Sequence, residues 1–279
     1  MNIFDPTPAR SPRQIELLKL LHTHRFATTD QLARFTRVGY GSDRSAIRQT
    51  QRHLSQLLEA GLVTELERRV GGWQGGSELT IWALTTSELR HLKRGHRRLR
   101  PREVSTTFLG HTLAITETCL RIEETVRELK TEAAEDSGFD AVILREPRCW
   151  RNYLGRQGIM ETLRPDIEVT IHSPEFTDRY FIEVDRATEN PARVLNTTKN
   201  YGAYQASGEE QKASGSFPAL VWLVLSAKRQ AQIRRYLSRE PDLPSDFWLT
   251  LQLDELPSLV RDGPERFFGA PEDDQPPAG

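Results

Sequence analysis

From residue 12 the spacing of apolar positions switches between helical and alternating periods. "PRQIELLKLLH" repeats Ile15, Leu18 and Leu21 (with Leu17) at helical intervals, behind Ser11-Pro12, a cap followed by proline at a first helical position. "ATTDQLARF" predicts a second, short helix with Thr28 or Thr29 as cap and Leu32 inward. "RSAIRQTQRHLSQLLEAGLV" predicts a third, in which Ile47, Leu54, Leu57 and Leu58 share one arc and Gly61 ends the helix. Arg44, Arg48 and Arg52 recur at every fourth position on a separate stripe of it. "LVTELERRV" and "ELTIWALT" then alternate as strands around "GGWQGG", a glycine-flanked tip carrying Trp73.

Three helices followed by a two-stranded ribbon is the plan of a winged helix-turn-helix, expected here over residues 10–92. In that plan the third helix enters the major groove and the wing touches phosphate or the minor groove. The candidate DNA contacts are therefore Arg44, Arg48, Gln49 and Arg52, with Ser45, on the helix, and Arg68, Arg69 and Trp73 on the wing. An arginine stripe is also what an ordinary solvated helix face shows, so the distribution of charge matters. The net charge is -1, yet residues 1–105 hold 18 Lys and Arg against 10 Asp and Glu, and the remainder holds 20 against 29. A basic first module joined to an acidic second one is expected to meet a polyanion, double-stranded DNA.

"KRGHRRLRPREVS", residues 93–105, reads as a basic linker or a strap along DNA. An α/β module is expected over residues 106–260. It opens with a long amphipathic helix, whose inward candidates are Leu113, Leu120, Ile122, Val126 and Leu129. "EDSGFDAVIL" reads as a loop with a strand or a short helix. "PDIEVTI" and "YFIEVD" alternate as two strands, with a hairpin turn at "TDR" near Pro174. Asn190-Pro191 caps a helix with Val194, Leu195 and Tyr201 inward, and "FPALVWLVLSA" has the unbroken apolar run of a strand buried on both faces. "KRQAQIRRYLSRE" is a further helix and "FWLTLQLDEL" a last strand. The Pro- and acid-rich end, residues 261–279, is expected to be a disordered tail.

Alternation in the two strands places Asp166, Glu183 and Asp185 opposite an apolar row, which admits two readings. They hold a metal ion, or they are the solvated side of an ordinary sheet. The density of "EVDRATE" favours a site, because carboxylates that close repel unless a cation balances them. Pro165-Asp166 at one strand start and Glu183 on the next resemble the PD-(D/E)xK nuclease superfamily. That resemblance implies a restriction-endonuclease-like α/β fold in which Asp166, Glu183 and Asp185 hold Mg²⁺ (or Mn²⁺), which activates water and neutralises phosphate. Asp185 stands where the motif has lysine, so Lys199, from the following helix, is the candidate for the missing ammonium.

Taken over residues 12–204, the chain is similar to the replication-relaxation family of actinobacterial and other bacterial plasmids and integrated elements. The segments that carry the likeness are "LLHTHRFATTDQLARFT", "RHLSQLLEAGLVTELER", "LGHTLAITE" and "RPDIEVTI…YFIEVDRATEN…KNYGAY". The resemblance implies a DNA-binding role in plasmid replication or transfer, beside other replication or mobilisation proteins. Two functions follow: a Mg²⁺-dependent endonuclease or nickase guided by the winged helix, or a non-cleaving DNA-binding accessory factor, with a plain transcription regulator as a weaker third. Composition narrows the setting. No run approaches the ~20 apolar residues of a membrane span, and no basic-then-apolar leader opens the chain, so a cytoplasmic protein is expected. Cys119 and Cys149 form no disulfide framework, and no His pairs with Cys at zinc spacing.

Overall fold

The protein is described here by a computed structural model. It describes residues 10–66, 80–86, 104–133, 138–155, 158–187, 190–244 and 246–268. Two compact units divide the chain, residues 1–120 and 121–279. Helices and strands are mixed, which bears out the α/β class. Residues 93–103 of the expected linker lie outside the described residues, as does the wing tip with Arg68, Arg69 and Trp73.

In the first unit, α1 (Pro12–His24), β1 (Ala27–Thr28), α2 (Thr29–Phe35) and α3 (Asp43–Glu59) precede β2 (Val63–Leu66) and β3 (Ile81–Leu84). The caps form where local chemistry demands them. Ser11 and Gln14 close a reciprocal capping box on α1, and Thr28 and Gln31 close another on α2, each satisfying two backbone N–H groups that a helix start leaves orphaned. The three strands pair antiparallel in the order β1-β3-β2, and Leu17, Leu21, Leu32, Leu54, Leu57 and Trp82 meet in the core between helices and sheet. Ile15 and Leu58 differ from expectation, at 42% and 40% exposed. The buried line of α3 is Ala46, Thr50, Leu54 and Leu57, which leaves Leu58 exposed and Ile47 half-buried at its margins.

The long helix α4 (Thr106–Glu132) contains the boundary between the units. Its first turns belong to the first unit, where Leu109 packs with Phe26 and Ile81 and Thr116 Oγ1 donates to the Phe26 carbonyl at 3.1 Å.

The second unit holds β4 (Asp140–Arg145), β5 (Arg151–Leu154), β6 (Met160–Leu163), β7 (Ile167–His172), β8 (Thr177–Asp185), α5 (Pro191–Ser207), α6 (Glu209–Ser214), β9 (Ala219–Val224), α7 (Ala227–Leu237), β10 (Trp248–Gln252) and α8 (Leu256–Asp262). The five-stranded sheet runs β10-β9-β8-β7-β4. β4, β7 and β8 pair antiparallel, then β9 joins β8 in parallel through the α5 crossover, and β10 joins β9 the same way. "TDR" is not the turn. Thr177, Asp178 and Arg179 begin β8, and Ser173–Phe176 turn the chain, with Ser173 Oγ accepting from the Phe176 N–H at 3.0 Å. Both faces of β8 are buried. Tyr180, Ile182 and Val184 fill one, while Phe181 on the other packs with Val194, Tyr201 and Trp222. Residues 261–268, expected within the disordered tail, instead complete α8 and a short 3-10 turn at Glu265–Phe267.

Candidate functional site

On α3 the arginine stripe and the buried line are two residues out of phase, about 200° around the axis at 3.6 residues per turn. Core packing through Ala46, Thr50, Leu54 and Leu57 therefore turns Arg44, Arg48 and Arg52 directly outward, and all three are exposed. None makes an ion pair among the described residues, so their charge is left for a partner. Gln49 and Ser45 are half-buried beside them. His53 adds little charge at neutral pH: burial first, then Arg13 and Arg52, holds its pKa below the usual histidine value.

The acids of the second unit have a different fate. One residue beyond the paired Ile167 and Ile182, Asp166 stands alongside Glu183 at the end of β7 and β8. Asp166 Oδ2 accepts from the Val184 N–H at 2.9 Å, and Glu183 Oε1 accepts from the Tyr201 hydroxyl at 2.5 Å. Burial, and then the Glu183 carboxylate, pushes the Tyr201 pKa well above its ordinary value, so Tyr201 remains a donor. Asp185 does not join them as a ligand. Its Oδ2 is held by Arg229 Nε at 2.5 Å and its Oδ1 by the Ala187 N–H at 3.1 Å, with the Asp185 side chain 0% exposed. Lys199 points elsewhere, to Glu240 at 2.7 Å, and is half-exposed. Among the described residues no group of three or more His, Cys, Asp and Glu gathers as a cation would need. The three-carboxylate metal site with Lys199 beside it is thus corrected. An arginine 44 residues downstream neutralises Asp185, and that arginine is supplied by α7. The residues present do not fit the expected Mg²⁺ centre.

The family model for replication-relaxation proteins matches residues 18–220, well over half the sequence. The chain belongs to the replication-relaxation family. Membership connects it with replication or relaxation. No curated protein matches the sequence. Among solved structures, protein VC1899 from Vibrio cholerae is similar at 14% identity and a TM-score of 0.31, over 92% of this chain and 57% of that one. The chain thus spans a little over half the length of that protein.

This replication-relaxation protein also carries charged residues to which the alternating pattern assigned no role. Glu168, on the same face as Phe181, is 4% exposed and accepts from Arg151 at 2.6 Å and Arg179 at 3.0 Å. Glu210 on α6, 2% exposed, accepts from Arg151 at 2.9 Å, from Tyr204 at 2.7 Å and from Arg179. Two arginines and two glutamates form a closed, charge-balanced ring between β5, β7, β8 and α6. The signal was present in "PDIEVTI", where a glutamate interrupts a strand otherwise built for burial, and buried carboxylates require paired cations. The β5–β6 hairpin also had a signal, the Gly155 and Gly158 turn between alternating segments. Glu168, Asp185 and Glu210 are therefore not a solvated face but buried and paired with arginines.

Proposed function

We propose that the protein is a DNA-binding accessory factor of plasmid or mobile-element replication, which holds duplex DNA through its first unit and does not cut it. The exposed, unneutralised Arg44, Arg48 and Arg52 on α3 carry this reading. The order of three helices and two antiparallel strands supports a winged helix, with α3 in the major groove and the arginines on phosphates or guanine edges. Changing all three to Ala should weaken binding to origin duplex by about ten- to a hundredfold and reduce the salt slope by about 0.9 for each phosphate that is no longer neutralised. Fluorescence anisotropy at two or more salt concentrations reads both quantities. Unchanged affinity and slope would overturn the assignment.

The side-by-side placement of Asp166 and Glu183 favours a second reading, metal-dependent nicking by a nuclease-like core. The strand order, an antiparallel β4-β7-β8 with β9 parallel to β8 after a helix, supports that resemblance. Against it, Arg229 already occupies Asp185 and Tyr201 occupies one oxygen of Glu183. Supercoiled plasmid incubated with the protein and Mg²⁺ or Mn²⁺ should stay supercoiled, and millimolar metal should leave the melting temperature unmoved. Nicking that Glu183→Gln abolishes would replace the accessory-factor reading with the nuclease.

A further inference from the structure

The approach to the β5–β6 hairpin collects exposed groups that neither the sheet nor the buried ring uses. Trp150 keeps 36% of its surface in water, and the hairpin end carries Leu154, Ile159 and Met160 at 55%, 60% and 64%. Arg148 and Arg164 are exposed, and neither makes an ion pair among the described residues. The Arg164 guanidinium lies over the Trp150 ring, 5.0 Å from its centroid. Scattered singly, such residues would need no explanation. Here Trp150 and Arg164 are paired and fixed, at the opposite end of β5 and β6 from Leu154 and Met160. Cys149 Sγ donates to the Pro165 carbonyl at 3.1 Å, which ties the loop bearing Trp150 to the peptide between Arg164 and Asp166. The indole and its guanidinium therefore flank the start of β7, at the end of the sheet where Asp166 and Glu183 stand.

An exposed indole packed against an unneutralised arginine matches the chemistry of an unpaired nucleotide. Arg164 covers one face of the indole, the exposed remainder of the ring stacks a base, and the guanidinium groups take the flanking phosphates. Bases within a duplex are stacked on one another, so the indole discriminates by strand state rather than by sequence. Protein interfaces are also enriched in Trp and Arg, so a protein partner is an outcome that the test separates from a single strand. We propose that Trp150, with Arg164 and Arg148, binds single-stranded DNA on the second unit. This rests on the DNA-binding reading above and extends it to a second, strand-selective surface.

The test is anisotropy of the full chain with a labelled oligo-dT and with a duplex of equal length. Wild type should bind both. Trp150→Ala should lose about tenfold or more in affinity for the single strand while changing duplex affinity by no more than about twofold. Trp150→Phe, which keeps a stacking plane, should retain most of the affinity, and Arg164→Ala should lower the single-strand salt slope by about 0.7. A circular-dichroism melt checks that each exposed substitution leaves the fold intact. Wild type that binds duplex but not oligo-dT overturns this inference alone, as does a Trp150→Ala variant that binds oligo-dT normally. If that variant instead changes sedimentation with DNA binding intact, the surface is a protein interface and the inference is wrong. Wild type that binds neither nucleic acid overturns the proposed function as well.

Discussion

Replacing Arg229 with Met should destabilise the protein by about 3–5 kcal/mol, among the largest effects expected of any polar substitution here. Asp185 has a side chain 0% exposed and that of Arg229 is 6% exposed, so water cannot reach the carboxylate once its partner is gone. Methionine keeps the packing of the long stem, which isolates the removal of charge from any change in packing. For a unit of this length, residues 121–279, the shift in melting temperature should be about 10 °C. The double variant with Asp185→Leu should recover most of the loss, because replacing both ions of a buried pair removes both desolvation penalties. Thermal melts of wild type, both single variants and the double variant close this cycle. A single Arg229→Met loss below about 1 kcal/mol would mean that Asp185 is hydrated and the pair incidental.

Glu210→Gln should cost a comparable amount, about 3–5 kcal/mol at neutral pH, because Arg151 and Arg179 would share the single charge of Glu168 inside the ring. Here pH supplies an independent readout. Burial pushes the Glu210 carboxyl up, but hydrogen bonds from Arg179, Tyr204 and Arg151 outweigh it, and the net shift is below the ordinary 4.5. A depressed folded pKa means that the unfolded chain takes up its proton first as the pH falls. The stabilisation is therefore complete above about 4.5 and is lost as the pH drops through the lower folded value. Melting temperatures between pH 7 and pH 3 should show a steep acid limb in wild type and a flatter one in Glu210→Gln, with the gap between them narrowing on acidification. Parallel limbs would show that Glu210 does not titrate with folding.

The helix starts were legible because they are local. Ser11-Pro12, Thr28 with Gln31, and Asn190-Pro191 satisfy their own nearest N–H groups or pre-set the first helical angle, so a few residues are enough to read them. The same holds for β9, whose unbroken apolar run admits only burial on both faces, and for the outward turn of Arg44, Arg48 and Arg52, which follows from a helical period and a core line on one side. The order of elements in the second unit was legible too, apart from β4, which the sequence left open between strand and short helix, the β5–β6 hairpin, α6 and α8.

The destination of each buried charge was not. Alternation places Asp185 and Glu168 on a face, but it cannot say whether water, a metal or another side chain covers that face. Arg229 reaches Asp185 across 44 residues, and the ring around Glu168 and Glu210 draws on positions up to 59 apart. Lys199 follows Leu195 by one turn, yet its long flexible stem goes to Glu240 on the loop after α7. The sequence by itself determined the longer helices, most of the principal strands and the basic stripe, since their causes act within one or two turns of chain. Only the tertiary structure decided that Glu168 and Asp185, the buried acids of β7 and β8, are paired with arginines, because electrostatic partners are chosen by distance in space and by exclusion of water, and neither is written along the chain.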